Sequence, residues 1–389
     1  MKKIIILFGL ITLNSANSFT QQEPLTINPP SRIQPVSSRK IQMAILFDAS
    51  GSMDGLLSQA KSKIWTIVNE LSSLRFQGQT PTIELAIYEY GKDEISSSEN
   101  YVRQLTPLTK DLDLISTKLF GITTNGGSEF CGAVIGKSIS ELSWSTSPTD
   151  LRMIYIAGNE IFNQGSIDYR EVCKTAADRQ IYVNTIYCGP HDQGIREFWF
   201  DGAQIGHGDY FNIDANKQVI QIDTPFDDRI NTFNNALNKT YYGYGSAGRE
   251  NKMMQGSVDS QNLSFSKTNA VERSIVKSKS AYTNASWDLI DGDKDGKIKI
   301  GELKEEDLPE EFKGKTVEEK TELLDSIKIE RDSIQLEIGK LAIERQAYID
   351  AEIKKRATTG DVDDFGTSIS QSILKKAELI GMKKEEVIK

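Results

Sequence analysis

Apolar and polar residues alternate in long blocks along the first two thirds of the chain. Ile41 to Phe47 is a nearly continuous apolar run that stops at Asp48-Ala49-Ser50-Gly51-Ser52. After it, Leu57, Ala60, Ile64, Val68 and Leu71 recur at helical spacing. A strand buried on both faces reads as an unbroken apolar run, and a helix against a core repeats every three or four residues. The first unit is therefore a strand, a polar turn and a helix. The pattern continues with predicted strands over 82–88, 101–105, 151–157, 181–187 and 209–213. Helices are predicted over 111–119, 131–142, 169–179 and 225–237, with a Gly-rich loop over 121–130. Such alternation predicts an α/β, Rossmann-like domain: a mostly parallel central sheet flanked by helices, with its functional edge at the carboxyl ends of the strands. Asp48 lies at that edge.

The last third has another texture. Residues 246–282 are rich in Ser, Asn, Gln and Lys, and read as a polar connector with one helix around 271–279. Residues 311–389 read as a mainly helical tail. Within it Ile327, Ile334, Leu341 and Tyr348 recur every seven residues, Leu324 and Ile338 fill the alternate seam, and Arg331, Arg345 and Glu352 interrupt it. The stripe is expected to pack on another helix of the chain, such as 368–380, with a self-pairing coiled coil as the alternative.

The turn after the first strand brings one carboxylate, Asp48, and two hydroxyls, Ser50 and Ser52, close together. Hard oxygen ligands of this kind suit Mg2+ or Mn2+. The segment FDASGSM resembles the first metal loop of von Willebrand factor A (VWA) domains. The resemblance covers roughly residues 40–245, including IYIAGNEIFNQG and IYVNTIYCG, and is to exported bacterial members of that family. It implies that Ser128, in Asn125-Gly126-Gly127-Ser128-Glu129, supplies the second-loop hydroxyl, with Thr123-Thr124 as a fallback. Where the family carries a third-loop Asp, this chain has Ala157-Gly158-Asn159-Glu160, so Asn159 or Glu160 takes that place. The family likeness also implies a metal-dependent adhesion site whose shell is completed by a carboxylate of a protein partner.

A second candidate lies in residues 283–310. Asp291 to Glu302 matches the EF-hand calcium loop at each ligand position. Asp291, Asp293 and Asp295 would give side-chain oxygens to Ca2+, Lys297 its carbonyl, Lys299 a water-mediated contact and Glu302 the bidentate closing ligand. Gly296 suits the sharp turn and Ile298 the apolar position. No second loop of equal quality accompanies it, and Pro309 shortens any exit helix, so the expected role is structural.

Charge and the chain start narrow the function. The net charge is -9, which argues against nucleic acid as a partner. Lys2 and Lys3, the apolar Ile4 to Leu13, and the small Ala16 and Ser18 read as a signal peptide over 1–20, followed by a linker over 21–39. No cysteine suggests a lipid anchor and no later run is apolar enough to span a bilayer, so a periplasmic or secreted protein is expected. Of Cys131, Cys173 and Cys188, a Cys131–Cys188 bridge is the expected pairing in an oxidising compartment. No nucleophile–base–orienter set and no phosphate loop is present, and Cys188 with His191 is no signature of thiol catalysis. The leading expectation is a non-enzymatic, metal-dependent binding protein. The alternatives are an envelope scaffold that makes its contacts through the helical tail and, last, a hydrolase.

Overall fold

In a computed structural model of the protein, the described residues are 39–53, 56–213, 221–357 and 364–385. The expected signal peptide and all of the expected linker but Arg39 lie outside them. β1 (Lys40–Asp48) leads through α1 (Leu56–Ser72) and the two-residue β2 (Leu74–Arg75) to β3 (Thr82–Tyr90) and β4 (Val102–Thr109). Next come α2 (Leu112–Phe120), α3 (Cys131–Glu141), β5 (Leu151–Gly158), α4 (Tyr169–Asp178) and β6 (Tyr182–Tyr187). Two short helices, α5 (His191–Arg196) and α6 (Trp199–Ile205), precede β7 (His207–Asn212) and α7 (Asp227–Lys239).

The main sheet has the order β4-β3-β1-β5-β6-β7, with only β4 antiparallel to its neighbour. Strand periodicity divides β1 between two cores. Ile41, Met43, Ile45 and Phe47 pack with α1, α2 and α7, while Ala44 and Leu46 pack with α3, α4 and α6. This is why β1 reads as a continuous apolar run. β4 is the edge strand and is only partly buried: Val102 and Thr106 are buried, Arg103 and Gln104 are exposed, and its pairing with β3 is irregular. The α5–α6 pair was not legible as helix, because Pro190, Gly194, Gly202 and Gly206 break its periodicity.

The expected polar connector is two helices, α8 (Gly245–Phe265) and α9 (Lys267–Lys277). α9 is the helix expected around 271–279, whereas α8 was hidden because Gln255 and Asn262 are prominent among its buried residues. On α8, Asn262 is fully buried and accepts from Trp65 Nε1 at 2.6 Å while donating to Ser116 Oγ at 3.3 Å. On α9, Arg273 and Lys277 are buried against Asp259 of α8 at 2.6 and 2.7 Å. α10 (Leu289–Lys294) is followed by α11 (Val317–Ala357), α12 (Asp364–Leu379) and β8 (Lys383–Lys384), which pairs antiparallel with β2.

The seam of α11 is real, but it is spent within the chain. Leu324, Ile327, Ile334, Ile338 and Leu341 are buried. α11 packs chiefly on α7, with α9 and α10, and not on α12 as expected; α12 packs on α1 and β7. The apparent interruptions, Arg331 and Arg345, are 1% and 2% exposed, so they belong to the seam. Arg345 bonds Asp227 and Glu272 at 2.9 and 2.6 Å. Residues 38–389 form one unit, so the tail is no separate arm. No helix among the described residues is long and apolar enough to cross a membrane.

Candidate functional site

β1 delivers Asp48 to the carboxyl edge of the sheet, and a 3-10 turn over Gly51–Met53 follows. Ser50 N donates to Asp48 Oδ1 at 2.8 Å. Ser50 Oγ and Ser52 Oγ lie 2.9 Å apart, and Ser52 Oγ donates to Asn159 Oδ1 at 2.9 Å. A hydroxyl has one proton, so Ser50 is the donor to Ser52, and the chain of bonds runs Ser50 to Ser52 to Asn159. The Gly-rich loop joins through a bridge between Ser50 and Asn125, with Asn125 N donating to Ala49 O at 3.0 Å. Three loops, after β1, β5 and α2, therefore meet at one point.

Asp48 itself is fully buried, and its Oδ2 has no hydrogen-bond partner. Burial, reinforced by the nearby Glu129 and Glu160 charges and opposed by the Ser50 bonds, pushes its carboxyl up to about 7. Two glycines make the space for it. A Cβ on Gly91, whose φ is +80°, would lie 2.9 Å from Asp48 Oδ1. One on Gly158 would lie 3.1 Å from Oδ2 and 2.7 Å from the Tyr90 hydroxyl. These two glycines, each directly after a strand residue at the same edge or ending the strand, were the part of the site that sequence reading missed.

Of the expected metal ligands, Asp48, Ser50, Ser52 and Asn159 are brought together. Ser128 is half-buried in the second loop with no hydrogen bond into the cluster among the described residues, and Thr123 is taken by Lys92 Nζ at 3.2 Å. Glu160 is exposed. The expectation of Mg2+ or Mn2+ is corrected here. Among the described residues, no group of three or more His, Cys, Asp or Glu side chains is placed to hold a metal ion. The donor set agrees: the hydroxyls are committed to each other and to Asn159, and the third loop offers an amide where the family carries an Asp.

The expectation of Ca2+ falls on the same finding. The first half of the expected loop is coiled into α10, capped by Asp288, which accepts from Asp291 N at 3.0 Å. Asp291 Oδ1 accepts from Arg331 Nη1 at 3.0 Å and Oδ2 from Asn284 N at 2.8 Å. Burial and the Asp288 charge push Asp291 up to about 6, against the pull of Arg331. Asp293 is taken by Lys328 Nζ at 2.7 Å. Asp295 caps the end of α10, Lys297 closes the turn on Gly292 O, and Glu302 is exposed and paired with Lys299 at 3.0 Å. The motif is a helix end in which Asp291, Asp293 and Glu302 are paired with arginine or lysine.

The expected Cys131–Cys188 bridge is also corrected, since all three cysteines are free and buried. Cys131 belongs to the core on the α3 face of the sheet and Cys188 to the core on the α1 face. Burial pushes the Cys131 thiol well above its ordinary value and Cys173 up to about 12.

No protein-family model matches the chain, and no curated protein does. Among solved structures, the conserved hypothetical protein BatB from Bacteroides thetaiotaomicron matches at 19% identity over 45% of this chain and 90% of that one, with a TM-score of 0.33. An aerotolerance-related membrane protein from Bacteroides fragilis matches at 18% identity over 45% and 93%, with a TM-score of 0.31. The SpRpn10 VWA domain matches at 12% identity over 46% and 89%, with a TM-score of 0.35. Likenesses this weak carry no argument by themselves. The chain has a VWA-like α/β architecture. That statement stands on the strand order, the single antiparallel edge strand and the polar turn between β1 and α1.

Proposed function

We propose that the protein is a binding module that meets a protein partner at the carboxyl edge of its sheet, without a metal ion. The observation that carries this reading is the bonded row from Ser50 through the exposed Ser52 to Asn159, which fixes hydroxyl and amide groups from two loops in one accessible place. Preorganised polar groups at the switch edge of an α/β sheet are a usual place for a ligand. The partner carboxylate expected from the family resemblance depended on the ion and goes with it. Asp93, Glu94 and Glu160 are exposed around the cluster, so a basic side chain is the complementary contact. The reading is non-catalytic, and its periplasmic or secreted setting rests on residues 1–20. The test compares wild-type protein with Asn159→Ala and Glu160→Lys variants in pull-downs from envelope extract, each with and without chelator. A partner held by wild type, lost in both variants and indifferent to chelator supports the reading. Retention in both variants refutes it.

A second reading has its own observation. Ile329, Leu336 and Ile343 are 71%, 60% and 49% exposed and lie seven residues apart along α11. Such a stripe suits self-association, which sedimentation of the full chain would detect as a dimer that Ile329→Glu abolishes.

A further inference from the structure

A groove of about 1400 Å³ runs between α1, α9, α11 and α12. It is larger than the ~300–1,000 Å³ of an ordinary small-molecule pocket, and along α11 it extends from Asp332 to Arg356, roughly 36 Å of helix at ~1.5 Å per residue. Its shape therefore suits an elongated ligand. One wall is the face of α9 and the residues just after it, Thr268, Glu272, Ile275 and Lys279, which recur at helical spacing. The opposite wall carries Leu336, Ile343 and Ile353.

Four residues that line the groove carry buried polar atoms without a partner: Asn69 Oδ1, Thr268 Oγ1, Asn269 Nδ2 and Arg345 Nη2. Asn269 and Arg345 are 1% and 2% exposed. Buried polar atoms are ordinarily bonded, and leaving one unmet carries its full desolvation penalty. Three of the four can donate. Only Asn69 Oδ1 is purely an acceptor, so the set asks mainly for acceptors. Charge points the same way. Seven Lys or Arg residues line the groove against five Asp or Glu, in a chain of net charge -9. Pairing engages both sets: Glu272 with Arg345, Glu70 with Lys384, Glu385 with Arg75, Asp332 with Lys294 and Lys340 with Glu337, while Asp350 accepts from Gln346. Lys279 Nζ, by contrast, donates to a backbone carbonyl, Asn69 O, at 2.9 Å.

We infer that the groove binds a long-chain carboxylate, with the carboxylate accepting from Arg345, Asn269 and Thr268 near Lys279, and the acyl chain lying along Leu336, Ile343 and Ile353. A carboxylate offers about four acceptor sites to these donors, and each methylene that the apolar wall covers adds to the affinity. This inference does not depend on the partner contact proposed above, which lies at the sheet's carboxyl edge.

The test is titration of the full mature chain with palmitate, followed by displacement of a fluorescent polyene fatty acid. Saturable binding of one palmitate per chain is expected, at least tenfold tighter than octanoate or hexadecanol. Leu336→Asp and Ile343→Asp change exposed positions and leave the fold's core untouched; each should weaken palmitate at least tenfold with an unchanged circular dichroism spectrum. Lys279→Gln should weaken palmitate and not hexadecanol. The inference is overturned by absent saturable binding, by variants that bind as wild type does, by equal affinity for hexadecanol, or by association only with phosphatidylglycerol vesicles and not with free palmitate.

Discussion

Arg331 Nη1 donates to Asp288 Oδ2 at 2.7 Å and Arg331 Nη2 to Asp288 Oδ1 at 3.2 Å, with the two residues 1% and 0% exposed. Arg331 also bonds Thr240 and stacks over Tyr241, its guanidinium carbon 4.0 Å from the ring centroid. One side chain in the α11 seam thus fastens the tail to the end of α7 and to the cap of α10. Removing one member of a buried pair strands the other charge. Arg331→Met should lower unfolding stability by about 3–5 kcal/mol, measured by urea denaturation. Combining it with Asp288→Asn should cost less than the sum of the two single changes, because the pair acts as a unit. An additive double variant would contradict the pairing.

In the expected calcium loop the carboxylates of Asp291, Asp293 and Glu302 are occupied by Arg331, Lys328 and Lys299. Adding 1 mM Ca2+ or Mg2+ should therefore leave the Tm unchanged. A site with a Kd of about 10 µM would contribute about 2.7 kcal/mol at that concentration and raise the Tm by a few degrees. Such a rise, absent in an Asp291→Asn variant, would restore the calcium reading.

Asp259 predicts the acid limb of stability. Burial alone would raise its pKa, but Arg273 and Lys277 overcome that and hold it well below the usual carboxylate range. The folded state then binds the proton less readily than the unfolded chain. The stabilisation is complete above the unfolded pKa of about 3.9 and is lost as pH falls below it. Burial draws Lys277 down to about 8, a cost that is constant below that pH and is relieved only as pH rises above it, so it does not shape the acid limb. Asp259→Asn should cost about 3–5 kcal/mol at pH 7 and flatten the loss of stability between pH 4 and pH 2. An unchanged acid limb would contradict the assignment.

Cys131 and Cys188 lie on opposite faces of the sheet. Protein denatured without reductant should titrate three thiols. A count of one would mean that a bridge forms.

The strands and α1 were legible because burial on two faces leaves an unbroken apolar run, as in Ile41 to Phe47, and burial on one face leaves a helical stripe, as in Leu57 to Leu71. α8 was not legible, because Val258 is the one large apolar residue among its buried positions, and Gln255 and Asn262 meet partners that only folding brings near. Arg331 and Arg345 looked like breaks in a heptad for the same reason. At the site, the place of Asp48, Ser50, Ser52 and Asn159 could be read from the turn after β1 and the loop after β5. Their chemistry could not. Residue types suggest ligands, but Asp291 shows that a carboxylate's partner can sit 40 residues away on another helix and displace the ion.

The most direct measurement is site-specific photo-crosslinking in cells, with a photoreactive residue placed either at Ser52 or at the exposed Thr146 before β5, at the opposite edge of the sheet. The account predicts a partner adduct from position 52, lost when Asn159→Ala is added, and none from position 146. Adducts of equal yield from both positions, or from 146 alone, would contradict a partner site at the carboxyl edge.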